Sequence, residues 1–410
     1  MEGVSNVLMH AFLFVSLYFE VFLLIAFLER HVDAKDIVPK KITRYPSVAV
    51  IVPCFNEERT IAATIRSLLA LQYPKSKLEI ILVDDGSTDG SASILQRFAN
   101  RYSHVRFIQK ENGGKHSAMN TAFNTTTAEL IGCLDADSFV APDALMEIVR
   151  HFENSSVAAV TPAIVVESAD NPLRLIQRAE YSLSIFIRRA FALVDGVFIT
   201  PGPFSFFRRS AILSVGSWKK AYNTEDLEMG LRLQKAGMRI ENAPTARVAT
   251  TTPATLRLLY KQRVRWTYGF LKNAFIYREM FGNPRYGALG LVILPTATLS
   301  IFAALYFAGY FIWSTAVWLL QKLVEVQVVG ISVGVPRFEL FYVNTQSLIF
   351  IVWMLIAITL ALIFIGKTLT NERRLSWDIP LYLALYGFLA PLWLAGALVR
   401  ATISRDASWR

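Results

Sequence analysis

Cysteine and charge are what this chain has least of. Its two cysteines, Cys54 and Cys133, both fall inside strand-like apolar runs, so they support neither a disulfide framework nor a metal site, and they fit a reducing compartment. Charged residues make up 18% against 53% hydrophobic, too few for a chain that is soluble throughout. The first apolar stretch lacks both a basic residue before it and a small-residue cleavage site after it, and so reads as a retained anchor, not a cleaved signal peptide. No internal repeat or low-complexity tract is evident.

What is present in excess is clustered. Residues 7–28, 289–320, 345–365 and 377–398 are each about 20 residues or more of nearly uncharged chain, long enough to span a bilayer, with Glu20 inside the first and Asp378 at the edge of the last. The formal charge of +10 sits largely beside these runs: Arg30, Lys35, Lys40, Lys41 and Arg44 follow the first, and Lys272, Arg278 and Arg285 precede the second. That placement argues for a lipid bilayer as partner and against nucleic acid. The bias predicts an outside N-terminus and a cytosolic middle. Four crossings would return the C-terminus outside, which Lys367, Arg373 and Arg374 fit and Arg400, Arg405 and Arg410 oppose. Pro295 and the length of the second run suggest first turns lying along the interface.

Between the spans, strand-length runs at 48–52, 80–83, 105–108 and 130–134 alternate with helical patterns at 60–71, 91–102 and 117–123. This predicts an α/β domain on a mainly parallel sheet, with ligands beyond the carboxyl ends of the strands. Acidic motifs stand at those ends. Pro53-Cys-Phe-Asn56-Glu57 and Val83-Asp84-Asp85-Gly86-Ser-Thr-Asp89 form two neighbouring loops able to cup a nucleotide base. Asp85 can accept from a uracil N–H or a ribose hydroxyl, and Gly86 allows close backbone approach. The same turn also suits a simple helix cap at Asp89. Asn112-Gly-Gly-Lys115 offers a lysine to diphosphate or is a plain loop. Asp135 and Asp137, one residue apart at a strand end, can grip a hard divalent cation that bridges diphosphate oxygens.

Thr224-Glu225-Asp226 opens a helix, where acids favour the dipole; Asp226 is also placed to be the general base of a direct displacement at an anomeric carbon. On a helix over 255–277, Gln262, Arg265 and Trp266 share one face, suited to diphosphate and a sugar ring. A basic stripe of Arg257, Lys261, Arg265 and Lys272, with Leu259, Phe270 and Phe275 on the apolar side, also suits an interfacial helix.

In this order the motifs closely resemble the processive family 2 glycosyltransferases, the synthases of cellulose, hyaluronan, chitin and poly-N-acetylglucosamine. The resemblance covers nearly the whole chain. It implies an anchor (1–29), a Rossmann-like cytosolic GT-A domain (30–253), interfacial amphipathic helices (254–287) and C-terminal transmembrane helices (288–410) in a multi-pass cell-membrane protein. It further implies inverting transfer from a UDP-sugar to a growing polysaccharide. Nucleotide-sugar contacts would come from Pro53, Asn56, Glu57, Asp84, Asp85, Lys115, Asp135, Gln262 and Arg265, and Mg2+ or Mn2+ would be held at Asp137 and Asp135. Asp226 with Glu225 would be catalytic, and Trp266 would bind the acceptor. The stretch Phe204-Ser-Phe-Phe-Arg-Arg209 occupies the place of an acceptor-contacting loop. The continuation Leu-Glu-Met-Gly-Leu-Arg-Leu-Gln234 resembles poly-N-acetylglucosamine synthases more than hyaluronan or chitooligosaccharide synthases, pointing to UDP-N-acetylglucosamine, although length and span pattern resemble the last of these too. The rivals are a transferase making a polyprenyl-phosphate sugar or glycolipid, and a non-catalytic nucleotide-binding subunit; no motif names an accessory subunit.

Overall fold

The computed structural model describes residues 2–37, 42–330, 347–372 and 376–403. Lys40, Lys41, Arg373, Arg374, Arg405, Arg410 and the expected third-span start at Thr345 lie outside the described residues.

The strands are β1 (Val48–Cys54), β2 (Leu78–Asp85), β3 (Val105–Lys110), β4 (Leu130–Cys133), β5 (Ser138–Val140), β6 (Val157–Val166), β7 (Phe206–Arg208) and β8 (Arg239–Thr250). Helices α1 (Glu2–Ile37), α2 (Ile61–Leu69), α3 (Ser91–Arg101), α4 (Lys115–Phe123), α5 (Ala144–His151) and α6 (Pro172–Leu193) are followed by α7 (Arg209–Val215), α8 (Glu225–Lys235), α9 (Leu256–Ile276), α10 (Leu294–Val329), α11 (Ser347–Leu369) and α12 (Asp378–Ile403).

The strands form one sheet of order β3-β2-β1-β4-β7-β6-β8-β5. β1 to β4 are parallel, as their uninterrupted apolar runs predict. Val48, Val50 and Val52 face α2 and α5, while Ala49 and Ile51 face α4, α7 and α8. The sheet is mainly parallel, as expected, with the long β6–β8 pair parallel as well, and its antiparallel pairs lie beyond β4. There β7 runs antiparallel to both neighbours and β5 antiparallel to β8, so the sheet is mixed. β1 lies between β2 and β4, so strand order reverses there and opens a crevice beyond their carboxyl ends.

Among the described residues, four helices are long and apolar enough to cross a membrane, in the expected positions. The first turns of the second span do not stand apart. They form a π-helical turn, Leu289–Ile293, whose Leu289 and Ile293 pack against Phe198, Leu227, Leu231 and Met280 of the catalytic layer.

The sequence reading missed α6. Asn171 caps it, accepting from Arg174 N–H, and Pro172 starts it. Phe186 and Ala190 face Leu23 and Phe27 of α1 and Ile358 and Leu362 of α11. Polar groups fix the same junction: Asp378 is fully buried and accepts from Lys367 Nζ at 2.5 Å, Arg178 Nε at 3.2 Å and the Ile379 N–H at 3.0 Å. The Asp378→Ala variant takes the nearest carboxylate from the buried Lys367 ammonium and leaves it Glu372 at 3.8 Å, so stability should fall by about 1–3 kcal/mol. Thermal unfolding in detergent with a midpoint equal to wild type would refute this.

Candidate functional site

The loops after β1 and β2 are laced together. Asn56, at φ 56°, donates its N–H to Ser87 Oγ (3.0 Å) and accepts from the Thr88 N–H (2.8 Å), while the Glu57 N–H bonds Ser91 Oγ (2.9 Å). Pro53 pairs with Val83 in the parallel ladder between them. Asp89 accepts from the Ser91 N–H at 3.0 Å and the Glu58 N–H at 3.2 Å, but the cap position of α3 is Gly90, so the cap expected at Asp89 falls one residue early.

Asp84 and Asp85 are buried at the end of β2. Asp84 accepts from the Ser87 N–H at 3.2 Å. Asp85 takes the Gly113 and Gly114 N–H groups at 3.0 and 2.8 Å and Lys110 Nζ at 2.6 Å, so it shapes the loop that delivers Lys115. Gly86 also gives room to this loop: a Cβ there would lie 2.8 Å from Asn112 N.

Beyond β4 the acidic clusters converge. Lys115 Nζ lies 2.6 Å from Asp135 Oδ1 and 3.5 Å from Glu225 Oε1, joining the Asp-x-Asp loop to the start of α8. Burial opposes its charge, yet Asp135, Cys133, Glu225 and Asp226 hold the ammonium well above its ordinary value. Burial first, then the charges of Asp135 and Glu57, push the Asp137 carboxyl up to about 7. Burial and Glu225 push Asp226 up to about 6, against the pull of Lys115 and the Leu227 N–H. A buried carboxyl raised by a like-charged neighbour is the environment a cation would relieve. Asp135 and Asp137 are the carboxylates that would hold a divalent cation here; among the described residues no group of three or more His, Cys, Asp or Glu gathers.

The stretch 204–209 does not line the cleft as an acceptor loop. Phe204, Phe206 and Phe207 enter the two cores, Arg208 donates to the Val157 carbonyl at 2.7 Å, and Arg209 covers the Phe123 ring. The segment just before it faces the site. Thr200 donates its N–H and hydroxyl to the Asp226 carbonyl at 3.2 and 2.7 Å, and a Cβ on Gly202 would lie 2.3 Å from Lys115 Nζ. Two residues on α6 were also missed. Tyr181, pushed up to about 12 by burial, is flanked by the charges of Arg263 and Asp137. Arg188, lowered to about 10 by burial, interacts with Tyr181 and Asp226. Their spacing of seven, one helix face, was the available signal.

α9 crosses the start of α8, where Gly269 packs against Thr224 and Asn273 Nδ2 donates to Thr224 Oγ1 at 3.1 Å. Gln262 and Arg265 are half-buried and Trp266 is 38% exposed one to two turns earlier. The expected apolar stripe needs correction: Leu259 is buried against Trp393 and Ala397 of α12, and Phe270 packs near Phe198, whereas Phe275 and Ile276 at the end of α9, and Leu256 and Leu258 at its start, are exposed. Lys272 donates to the Ala401 carbonyl at 3.0 Å, so it too leaves the basic stripe.

Comparison with known proteins agrees with this arrangement. The model of "Glycosyl transferase family 2" matches residues 49–216. A poly-beta-1,6-N-acetyl-D-glucosamine synthase of Staphylococcus aureus is 32% identical over 249 residues, so the chain aligns with only 60% of that relative's length and 60% of its own. One of Staphylococcus epidermidis is 30% identical over 296 residues, 71% of each chain. In fold, a mannosyltransferase from Pyrobaculum calidifontis in complex with GDP-Man and Mn2+ is similar at TM-score 0.60 and 19% identity, over 96% of this chain and 100% of that one.

Proposed function

Since the chain belongs to glycosyl transferase family 2, we propose that it is an inverting hexosyltransferase that moves N-acetylglucosamine from UDP-N-acetylglucosamine onto a β-linked polysaccharide at the cytosolic face of a cell membrane. In this reading the transfer is processive and coupled to passage of the product across the bilayer. The observation that carries it is the Lys115 bridge, 2.6 Å from Asp135 and 3.5 Å from Glu225, which draws the nucleotide loops, the Asp-x-Asp loop and the α8 start into one cleft. The two synthases support the choice of sugar.

Pro53, Asn56, Glu57, Asp84 and Asp85 frame the uridine, directly or through the loop Asp85 holds, and Lys115, Gln262 and Arg265 take the diphosphate. Mg2+ or Mn2+ at Asp137 and Asp135 would neutralise diphosphate charge and ease departure of UDP. Asp226, beside Glu225, takes the proton from the acceptor hydroxyl as that oxygen attacks the anomeric carbon, and Trp266 offers a flat face to the acceptor sugar.

Membranes supplied with radiolabelled UDP-N-acetylglucosamine should yield alcohol-insoluble polymer. Organic-soluble labelled lipid would instead favour a polyprenyl-phosphate or glycolipid transferase, and no product would favour a binding subunit. Activity should also depend on pH. A base with a pKa raised to about 6 works only when ionised, so kcat/KM should fall as pH drops through about 6. Stability runs the opposite way. A carboxyl raised in the folded state binds protons that the unfolded chain releases, so its contribution is full below the ordinary carboxylate range and is lost as pH rises through 6 to 7. Metal-free protein should therefore melt higher at pH 5 than at pH 8, and an inverse order would contradict the buried acidic pair.

A further inference from the structure

The reaction scheme gives no part to Arg263, the second residue of Gln262-Arg-Val-Arg-Trp266, yet it is the most firmly held side chain of that motif. Its Nη2 donates to Glu180 Oε2 at 2.7 Å, and the other Glu180 oxygen accepts from the Tyr386 hydroxyl at 3.1 Å. The guanidinium carbon lies 4.3 Å from the centroid of the Trp266 ring. Arg263 is 5% exposed, so one face of the indole rests on a buried cation while the residue as a whole stays 38% open. Burial opposes the charge, but Glu180, Tyr181 and Tyr386 hold the guanidinium above even its ordinary value.

The residue type matters. A planar guanidinium can lie flat against an aromatic face and still donate from its edge to a carboxylate; a lysine ammonium has no plane to stack. The three residues come from separate elements, Glu180 on α6, Arg263 on α9 and Tyr386 on α12, so the plane of the indole is referred to the helix that faces the acidic cleft and to the last span. We infer that the Glu180–Arg263 pair, steadied by Tyr386, is a positioning device for the acceptor: it sets the orientation of the Trp266 ring on which the sugar lies. The inference rests on the reading of Trp266 as the acceptor's platform.

The test uses the full chain purified in lipid nanodiscs, with a β-linked N-acetylglucosamine oligosaccharide as acceptor. Arg263→Lys, and separately Glu180→Gln, should raise the acceptor KM about fivefold to tenfold and shorten the product. The donor KM and the release of UDP by donor hydrolysis should stay within about twofold, a split that general loosening of the fold would not give. Trp266→Ala should have at least as large an effect, and adding Arg263→Lys to it should cost nothing more, because the two act through one surface. An unchanged acceptor KM in both pair variants beside a raised one in Trp266→Ala overturns the pairing. So do additive effects in the double variant, or a parallel loss of donor hydrolysis. A wild-type acceptor KM in Trp266→Ala removes the platform reading itself, and the positioning role with it. Should Arg263→Lys not fold, Glu180→Gln decides alone, since it keeps the shape and removes the charge with one of the two acceptor oxygens.

Discussion

Asp226→Asn should lower kcat by about a thousandfold or more while UDP binds as before. Asparagine keeps the size of the side chain and its oxygen can still accept from the Leu227 N–H, which bonds the carboxylate at 2.9 Å, so the start of α8 keeps its shape. Lys115 remains paired with Asp135 and Glu225, so the nucleotide side of the cleft keeps its charge balance. What is lost is the carboxylate proposed to take the proton of the acceptor hydroxyl. UDP release measured under initial-rate conditions, with calorimetry of UDP binding in the presence of Mn2+, separates the two effects. Wild-type turnover in this variant would discard Asp226 as the base.

Asp137→Ala should abolish the metal-dependent part of UDP binding, a loss of about a hundredfold or more in affinity, since a hard cation left with one protein carboxylate is poorly held. The same substitution should raise the thermal stability of the metal-free protein near pH 8. Asp137 is buried beside Asp135 and near Glu57, and removing one of these like charges relieves a repulsion that serves only the liganded state. The pair of outcomes is diagnostic: a structural carboxylate would lose stability on removal. Unchanged dependence of UDP affinity on Mn2+ would defeat the assignment.

Much of this was legible in the residues. Strands buried on both faces read as nearly continuous apolar runs, so β1, β2 and β4, and the edge strand β3 with them, start and stop within about two residues of where the runs do, and the acids that follow β2 and β4 border the reversal of strand order. The helix at 256–276 was equally plain, because Thr255 caps it by accepting from the Leu258 N–H. What escaped shares a cause. β5 and β7 are three residues each, too short to show a period, and they are the strands that make the sheet mixed. Leu259 is apolar whether it meets lipid or Trp393, and only the packing of α12 decides. The loop contacts of Asp85 and Gly86 were not legible, because a loop's own backbone needs the same acceptors and the same room as a nucleotide does. α6 was overlooked because Arg174, Arg178, Glu180, Arg188 and Arg189 give it the polarity of a soluble helix, although all five are paired, with Asp170, Asp378, Arg263, the Pro162 carbonyl and the Asn242 carbonyl respectively.

The place of α6 in the chain limits how this enzyme can be taken apart. It is threaded between β6 and β7, two strands that pair directly, so it cannot be deleted without cutting through the middle of the sheet. Yet its Phe186 and Ala190 find their cover on α1 and α11. A fragment trimmed at residues 42 and 287 would carry that greasy ridge uncovered and should self-associate, so the sheet and the helices α1 and α11 that cover α6 have to be kept together.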